Sequence, residues 1–459
     1  MDHAQSGRIA TAATRRNRYS MTRAPAIDRV RSRLIEAVQP EYGRIPMFIY
    51  SDPDVYRLEM STVFREAWLF VAHVSELPEV GSFVVRDMGE ESVIVARGDD
   101  RTVRVFLNSC RHRGMRLACA DFGSTNVWRC PYHGFSYGSR GEFLGTLVGA
   151  PFERVAYPGG LDRDALHLIE AKADIYQGLV FATWGKHSPQ LVSYLGNVAW
   201  YLDLVVGRAE MEVVGVPQKW VVPTGWKLPC ENFAADAYHT ATAHSFLARL
   251  GLVETVGFGR DGYHVDPGGG HGLGVGVHSD QGGSYFPVEL AEEYANRLSP
   301  DQLRLLKRVK NLHGNVFPNL SFLIPSFIDV DGRRVSGMML RVWQPIAPDK
   351  VQVWSWHLVE KNAPGWWKTL GRKMYTQTFG ASGMFDQDDT ENWEAQTHNA
   401  TASLSRADEV FLHYEMGLGM QPLPDSPGPG DVYDGKFNEA AGRTFYRTWL
   451  DYVVGRELV

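Results

Sequence analysis

Residues 110 to 133 form the stretch CRHRGMRLACADFGSTNVWRCPYH, and the organisation of the whole chain follows from it. It contains a Cys-x-His pair, Cys110 and His112, and a Cys-x-x-His pair, Cys130 and His133. Two thiolates and two imidazoles in two short pairs suit a [2Fe–2S] cluster with cysteines on one iron and histidines on the other. A structural zinc site is the alternative, but zinc pairs usually combine like ligands. The spacing therefore predicts an iron–sulfur cluster.

The composition is that of a globular protein long enough for two or three domains. The chain has 459 residues, of which 44% are hydrophobic and 22% charged. A net charge of −6 gives no electrostatic footprint for nucleic acid or an anionic membrane. The sequence contains no run of 18 apolar residues, so it predicts no membrane-spanning helix. Four cysteines are too few for a disulfide scaffold, and metal-bound thiolates suit a reducing compartment, so we expect a cytoplasmic protein.

The first half of the chain predicts a small β domain around the metal motif. Short β-branched runs with turns between them indicate antiparallel strands at 82–86, 92–97, 102–107, 166–170 and 178–184. We therefore expect a β domain over residues 67–185, with both metal-binding pairs on its loops. Residues 1–66 are expected to be a tail and a helix that Asp52 caps, and to belong to a catalytic domain that resumes over 186–459.

The second half mixes strands and helices and predicts an α+β fold. Strands are expected at 211–222, 313–330, 336–345 and 351–360, and helices at 227–250, 288–311, 363–380, 384–400 and 437–456. The glycine-rich stretch 257–283 predicts mobile loops, either a gate over a pocket or a simple surface excursion. The expected architecture is an all-β insert within a catalytic domain whose antiparallel sheet is flanked by helices.

A second metal site is indicated within residues 231–244, ENFAADAYHTATAH. On an ideal helix His239 and His244 lie about 140° apart, so they converge only if the helix ends, bulges or tilts. Core histidines are the alternative. A third ligand is available in residues 385–394, FDQDDTENWE, where a helix would place Asp389 on the buried stripe with Phe385, Asn392 and Trp393. Two histidines and one carboxylate would leave three positions of an octahedral Fe(II) open.

The other acids of this segment have a simpler explanation. Asp386 and Asp388 fit a helix N-terminal turn that is rich in acids, where negative charge is favourable. Asp388 would point toward solvent.

Taken together, these motifs resemble the large (α) subunits of Rieske non-haem iron aromatic-ring-hydroxylating dioxygenases of the naphthalene and biphenyl dioxygenase kind. The family patterns CxHRG…CPYHG, ENxxxDxYHxxxxH and QDDxEN match from Cys110 to His133, from Glu231 to His244 and from Gln387 to Asn392. The resemblance extends from about residue 40 to the C-terminus. One departure is Phe135, where the family usually has tryptophan.

The resemblance implies a helix-grip catalytic domain of the START type and a terminal oxygenase. Both atoms of dioxygen would add to an aromatic ring, naphthalene or a polycyclic hydrocarbon, to give a cis-dihydrodiol. The cofactors would be a [2Fe–2S] cluster on the four residues of the first motif and Fe(II) on His239, His244 and Asp389. Asp236 would link His239 to His133 of a neighbouring subunit.

The resemblance also implies several partners. Electrons would come from NAD(P)H through a reductase and a ferredoxin, and a small β subunit would complete an α3β3 hexamer. Arg111, Arg113 and Arg116 cluster beside the first pair and could steer an acidic ferredoxin, although the arginines could equally satisfy local carbonyls or acids.

The substrate is the least determined part. The candidates for the pocket wall are Asn232, Phe233, Thr240, His313 and Phe385. A carboxylated substrate would need a cation, for which Arg249 is the nearby candidate in sequence, although a solvated helix position explains it better. A phthalate-type dioxygenase, a Rieske monooxygenase or O-demethylase, an electron carrier without an oxygenase site, and a zinc-stabilised binding module are the alternatives.

Overall fold

Antiparallel pairing builds every sheet in the part of the chain that this computed structural model describes, residues 24–251, 261–278, 286–329, 331–407 and 410–456. Within those ranges the strands are β1 (Arg44–Pro46), β2 (Leu69–His73), β3 (Ser82–Met88), β4 (Glu91–Arg97), β5 (Val103–Leu107), β6 (Phe122–Ser124), β7 (Val127–Arg129), β8 (Ser136–Gly138), β9 (Phe143–Gly145), β10 (Glu170–Tyr176), β11 (Leu179–Thr183), β12 (Met211–Val213), β13 (Gln218–Val222), β14 (Gly262–Asp266), β15 (Gly272–Val277), β16 (Val309–Val316), β17 (Leu320–Ile324), β18 (Phe327–Ile328), β19 (Arg334–Val335), β20 (Met339–Ala347), β21 (Lys350–Glu360), β22 (Phe411–His413) and β23 (Asp431–Asp434).

The helices in the same ranges are α1 (Ala24–Ala37), α2 (Pro53–Ser61), α3 (Val63–Glu66), α4 (Ala150–Ala156), α5 (Leu191–Leu195), α6 (Val198–Leu202), α7 (Lys227–Ala235), α8 (Ser245–Arg249), α9 (Ala291–Arg297), α10 (Pro300–Leu306), α11 (Gly365–Thr378), α12 (Asp386–Thr401) and α13 (Ala440–Val454). Short 3₁₀ turns connect several of them, and one of these, Tyr238–Ala241, lies directly after α7. None of the described helices is long and apolar enough to pass through a lipid bilayer.

The part of the chain that carries the Cys-His pairs folds around a seven-stranded sheet with the order β2-β11-β10-β5-β4-β3-β6. A separate three-stranded sheet, β7-β8-β9, carries the second metal-binding pair. A two-residue loop of Gly89 and Glu90 joins β3 to β4, and the positive φ of Gly89 (+61°) suits such a tight hairpin. Strands were expected at 82–86, 92–97, 102–107 and 178–184, and all four are present. The strand expected at 166–170 is wrong, because the chain makes a 3₁₀ turn at Asp164–Leu166 and pairs only from Glu170.

The C-terminal part of the chain, from β12 onward, is built on a nine-stranded sheet. Eight strands follow the order β12-β21-β20-β17-β16-β15-β14-β23, and the ninth, β13, also pairs with β21. Helix α7 packs across β15, β16 and β17, and α13 packs on α7, β14 and β15. The predicted α+β class, an all-β module beside a helix-flanked antiparallel sheet, is confirmed. The helices predicted in the last hundred residues are present as α11, α12 and α13.

Local sequence signals set several boundaries in this half. Asp52 caps α2 by accepting hydrogen bonds from the N–H groups of Asp54 and Val55 at 2.8 and 3.3 Å. Ser299 and Gln302 form a reciprocal capping box at the start of α10. The strand expected over 313–330 is instead three strands, because the chain turns at residues 317–319 and again before Phe327.

The glycine-rich stretch is the main correction to the expected fold. Its described part forms β14 and β15 in the interior of the nine-stranded sheet, and every residue of β15 is buried. A Cβ on Gly272 would lie 2.7 Å from both the carbonyl oxygen of Ala234 and the Cβ of Ala441. The glycines therefore let α7 and α13 lie directly on the strand. The expectation of mobile loops is wrong for these strands, and residues 257–260 and 279–283 lie outside the described residues.

Candidate metal centres

The two metal-binding pairs of the β domain are held by loops with the same local structure. In the first loop the N–H of Gly114 donates to the carbonyl oxygen of Cys110 at 2.8 Å, and in the second the N–H of Gly134 donates to that of Cys130 at 3.0 Å. Both glycines have a positive φ, +74° and +71°, which L side chains rarely adopt. Each glycine thus closes a tight turn that presents one cysteine and one histidine.

The side chains of the two loops converge. The rings of His112 and His133 lie 4.6 Å apart, and the Phe135 ring stacks on His112 at 4.5 Å with an interplanar angle of 5°. Cys110 and Cys130 are both buried. Phe135 therefore covers the site, but it offers no N–H donor.

The donor set suits a cluster more than a packed core. Burial raises the pKa of the Cys110 thiol and the nearby Cys130 adds to that effect, although Tyr137 opposes it. The Nδ1 atom of His112 is buried with no hydrogen-bond partner within the described residues. Two buried thiols side by side and a buried imidazole nitrogen without a partner are what a bound [2Fe–2S] cluster would satisfy.

Tyr137 is a residue of this site that sequence reasoning missed. Its hydroxyl accepts a hydrogen bond from the N–H of Arg111 at 3.0 Å and lies 3.3 Å from the Cys110 sulfur, so its own proton is directed at the sulfur. A donor to a cluster cysteine raises the reduction potential of the cluster. The only sequence signal was its place in the CPYHGFSY segment, two residues beyond Phe135.

The second centre depends on the end of helix α7. The helix stops at Ala235, and Asp236 adopts non-helical φ and ψ of −99° and 65° before the 3₁₀ turn begins. The interruption brings the Nε2 atoms of His239 and His244 to 3.3 Å from each other. The expected helix over 227–250 is therefore wrong, but the condition set for the two histidines to converge, a helix that ends, bulges or tilts near the metal, is met because α7 ends before both of them.

Asp389 completes a three-residue group with these histidines. Its Oδ1 lies 3.5 Å from Nε2 of His239 and 3.3 Å from Nε2 of His244, and the candidate ligand atoms all lie within 4.8 Å of one another. Burial alone would raise the pKa of Asp389, but its contacts with His244 and His239 hold that pKa below its usual range. An ionised carboxylate and two imidazoles facing one point fit a mononuclear iron with open positions.

Asp236 and Asn232 fix the orientation of His239. The N–H of His239 donates to Oδ1 of Asp236 at 3.2 Å, and its Nδ1 contacts the carbonyl oxygen of Asp236. Asn232 donates from Nδ2 to Oδ2 of Asp236 at 3.1 Å. With Nδ1 engaged, Nε2 is left to face His244 and Asp389, which is the usual arrangement around a metal-binding histidine.

Of the two other acids in the first turn of α12, one lies where the sequence predicted and the other does not. Asp388 is about half exposed, with its Oδ2 3.9 Å from Nδ1 of His244, as its predicted outward position requires. Asp386 was assigned to a simple acidic helix start, and that explanation is wrong because Asp386 is buried and forms an ion pair with Arg341. Asn392 was placed on the buried stripe but is exposed. The missed signal was an arginine in the apolar strand β20, which needs a buried carboxylate.

The five candidates for the pocket wall all lie close to the second centre. Phe385 is 5.2 Å from the His244 ring and packs with Phe379 and Phe327. His313 contacts the carbonyl oxygen of Phe233 through Nδ1 at 2.9 Å. The two remaining candidates are Asn232, described above, and Thr240, whose hydroxyl donates to the carbonyl oxygen of Ala237 at 2.8 Å.

The arginines singled out in the sequence are all at the surface. Arg249 at the end of α8 is exposed, as a solvated helix position requires. Arg111, Arg113 and Arg116 are exposed beside the first metal-binding loop, and Arg111 donates to the carbonyl oxygen of Ala165 at 3.4 Å.

Two family models match the chain. A Rieske [2Fe–2S] domain matches residues 67–151, and the catalytic domain of ring-hydroxylating α subunits matches residues 198–455.

Individual relatives cover nearly the whole chain. The α subunit of an N,N-dimethyl phenylurea N-demethylase from Sphingobium sp. (strain YBL2) is 34% identical over 89% of this chain and 91% of its own. The α subunit of chlorobenzene dioxygenase from Cupriavidus sp. (strain PS12) is 34% identical over 89% of this chain and 90% of its own. The solved naphthalene 1,2-dioxygenase from Rhodococcus sp. with bound indole has a TM-score of 0.89 and 36% identity, over 94% of this chain and 99% of that one.

Proposed function

Because the chain belongs to the family of ring-hydroxylating oxygenase α subunits, with a Rieske [2Fe–2S] domain ahead of the catalytic domain, we propose that it adds both atoms of dioxygen to an aromatic ring. The product is a cis-dihydrodiol, and the substrate has a naphthalene-like or larger aromatic skeleton. The observation that carries this proposal is the convergence of His239, His244 and Asp389 beside the ring of Phe385.

We assign the predicted ligands of the two motifs to the two metal centres. Cys110, His112, Cys130 and His133 hold the cluster, and His239, His244 and Asp389 hold the iron. When bound, the iron supplies open coordination positions for dioxygen, and the cluster supplies electrons one at a time.

The side chains around the iron ligands bind and orient the substrate. Phe385, Phe379 and Phe327 form an aromatic wall on the His244 side, which suits a flat apolar ring. His313 closes the side next to Phe233 and is held there by its hydrogen bond to the α7 backbone. Burial lowers the pKa of His313 to about 4, so its imidazole ring is neutral at neutral pH.

Asp236 connects the two kinds of centre. Its carboxylate is already bonded to Asn232 and to the backbone of His239, so its position is fixed from one side. On the other side it meets His133 of a neighbouring copy, which makes electron transfer depend on assembly. The assembly comprises this chain and a small β subunit in an α3β3 hexamer, supplied by a ferredoxin and a reductase that uses NAD(P)H.

A single-turnover experiment tests the reaction. Iron-loaded protein is reduced chemically and exposed to ¹⁸O₂ with naphthalene, phenanthrene, phthalate or an N,N-dimethyl phenylurea, and the products are read by mass spectrometry. Two labelled oxygen atoms in a cis-dihydrodiol are expected. One labelled atom, or loss of a methyl group, would assign the chain to monooxygenation or demethylation, the activity that the Sphingobium relative is named for.

A further inference from the structure

The imidazole ring of His244 faces the iron ligands with one nitrogen and leaves the other without a partner. Its Nε2 lies 3.3 Å from Nε2 of His239 and 3.3 Å from Oδ1 of Asp389. Its Nδ1 is buried and has no hydrogen-bond partner within the described residues. If Nε2 binds the iron, the proton of the neutral ring is on Nδ1, so this nitrogen is a donor that needs an acceptor.

The other iron-binding histidine already has such an acceptor. Nδ1 of His239 contacts the main-chain carbonyl oxygen of Asp236. A histidine that binds a metal almost always donates its second N–H to a carbonyl oxygen, a carboxylate or water, which fixes the tautomer and the orientation of the ring. His244 is the one of the two histidines for which this second contact is still open in the described part of the chain.

The carboxylate of Asp388 approaches this open nitrogen. Its Oδ2 lies 3.9 Å from Nδ1 of His244, which is about 1 Å longer than a hydrogen bond from a nitrogen donor to a carboxylate. The side chain of Asp388 is 42% exposed, whereas that of His244 is 6% exposed. Because exposed side chains change rotamer readily and buried ones do not, Asp388 is the partner that can move to close the gap.

The ring of His244 is held in place by other residues at the start of α12. Phe385, directly before the helix, packs beside the ring with 5.2 Å between the centroids. Asp388 and Asp389 are the third and fourth residues of the helix. The first turn of α12 therefore places an aromatic ring beside the imidazole and one carboxylate near each of its nitrogens.

The same helix turn is anchored to the sheet. Asp386, two residues before Asp388, forms a buried ion pair with Arg341 of β20. This anchor fixes the backbone of the turn relative to His244, so a rotation of the Asp388 side chain is enough to form the hydrogen bond. The favourable effect of acids at a helix N-terminus applies to all three aspartates alike and does not account for these separate contacts.

A carboxylate acceptor acts on a bound imidazole differently from a main-chain carbonyl oxygen. Hydrogen bonds to an ionised acceptor are shorter and stronger than those to a neutral one. The N–H proton is therefore drawn further from the ring, and the imidazole becomes a more basic ligand. With Asp388 as its partner, His244 would bind the metal more strongly than His239, whose acceptor is neutral.

We propose that Asp388 is a positioning residue, which accepts a hydrogen bond from Nδ1–H of His244 when Nε2 binds the iron and thereby fixes the tautomer and raises the iron affinity of that histidine. This inference rests on the proposed function, because it concerns the iron site that the function requires. It assigns a separate task to each acid in the first turn of α12, since Asp386 anchors the turn, Asp388 orients His244 and Asp389 binds the metal.

The test is proton NMR of the iron-loaded Fe(II) protein, with the cluster oxidised and without dioxygen or substrate. Each iron-binding histidine should give one strongly shifted N–H resonance in H₂O that disappears in D₂O. Asp388→Ala should shift one of these resonances, or remove it through faster exchange with water, and leave the other unchanged. Asp388→Asn should have a smaller effect, and Asp388→Glu should restore the resonance. Glu391→Gln, at an exposed acid of the same helix, is the control and should change neither.

A graded series of chelators measures the effect on iron binding. Asp388→Ala should lower Fe(II) affinity by about 10- to 100-fold, Asp388→Asn should lower it less, and Glu391→Gln should leave it unchanged. Two unchanged N–H resonances in Asp388→Ala, or an equal change in both, would overturn the proposal. An N–H resonance that depends on Asp388 in a protein that incorporates no ¹⁸O would instead leave this inference standing and refute the oxygenase function.

Discussion

Arg341 donates to the carboxylate of Asp386 one turn of α12 before Asp389. Both side chains are buried, and the guanidinium also donates to the carbonyl oxygen of Phe379 at 2.7 Å. Strand β20 thus holds the first turn of the helix that presents the iron-site carboxylate. The positive charge of Arg341 is also among the influences that keep the pKa of Asp389 low.

We predict that Arg341→Met lowers iron affinity by about 10- to 100-fold, because Asp389 loses the contact that fixes its helix turn. Iron retention against a graded chelator series measures this. Arg208→Met is the matched control, since Arg208 is equally buried and pairs with Glu360 at 2.8 Å in the same domain. Both variants should lose about 3–5 kcal/mol of stability, the cost of leaving a buried charge unpaired. Equal iron retention in both would show that Arg341 acts on stability alone.

Asp236→Ala is expected to leave both metal centres loaded yet abolish turnover. The carboxylate contacts Asn232 and the backbone N–H of His239, whereas the main-chain carbonyl oxygen that contacts Nδ1 of His239 remains in the alanine variant, so His239 keeps its place among the iron ligands. Iron content and the visible spectrum of the cluster report loading, and product formation with the partner proteins reports turnover. Asp434→Ala, at an exposed position at the end of β23, is the control. Retained activity in Asp236→Ala would refute its role in electron transfer.

Gly274→Ala should destabilise the catalytic domain by about 1–3 kcal/mol, because the added methyl group overlaps the His313 ring and forces it to move. Gly365→Ala is a suitable control, since a Cβ there meets nothing within 4 Å. That change at the start of α11 should be neutral or stabilise by up to about 1 kcal/mol. Thermal unfolding of the two variants under identical metal loading compares them, and equal shifts would contradict the close packing of β15.

Asp266→Asn should become more stabilising, relative to the wild type, as the pH rises from about 4 to about 6. Burial raises the pKa of Asp266 from its ordinary value of 3.8 to about 6, although hydrogen bonds from Thr444 and Gly268 oppose the shift. Between those two pKa values the folded state binds the proton and the unfolded state does not, so wild-type stability falls as pH rises, by about 3 kcal/mol in all. The difference in melting temperature between variant and wild type isolates this group. A difference that does not change with pH would contradict the prediction.

The parts of the fold that the sequence predicted are those that short segments determine. The cluster loops depend on residues within six positions of each cysteine, so their spacing alone identified them. The hairpins of β3, β4 and β5 follow from β-branched runs with turn residues between them. Asp52, as a typical N-cap residue, predicted the start of α2.

Long-range packing decided the parts that the sequence did not predict. The glycines of β15 are explained by helices that lie 40 residues before and 170 after them, and no local pattern distinguishes such a strand from a loop. Where α7 ends, Asp236 forms a bridge with Phe437, which lies 201 residues further along the chain. Arg341 and Asp386 are 45 residues apart in sequence, so their ion pair was visible only as two unexplained charges in apolar surroundings.

The bridge between Asp236 and Phe437 also bears on the order in which the second centre can form during synthesis. The ribosome synthesises His239 and His244 long before Asp389, and Phe437 comes later still. A growing chain therefore cannot close the second centre until almost all of the catalytic domain has emerged. The complete set of iron ligands is in consequence assembled only late in the synthesis of the chain.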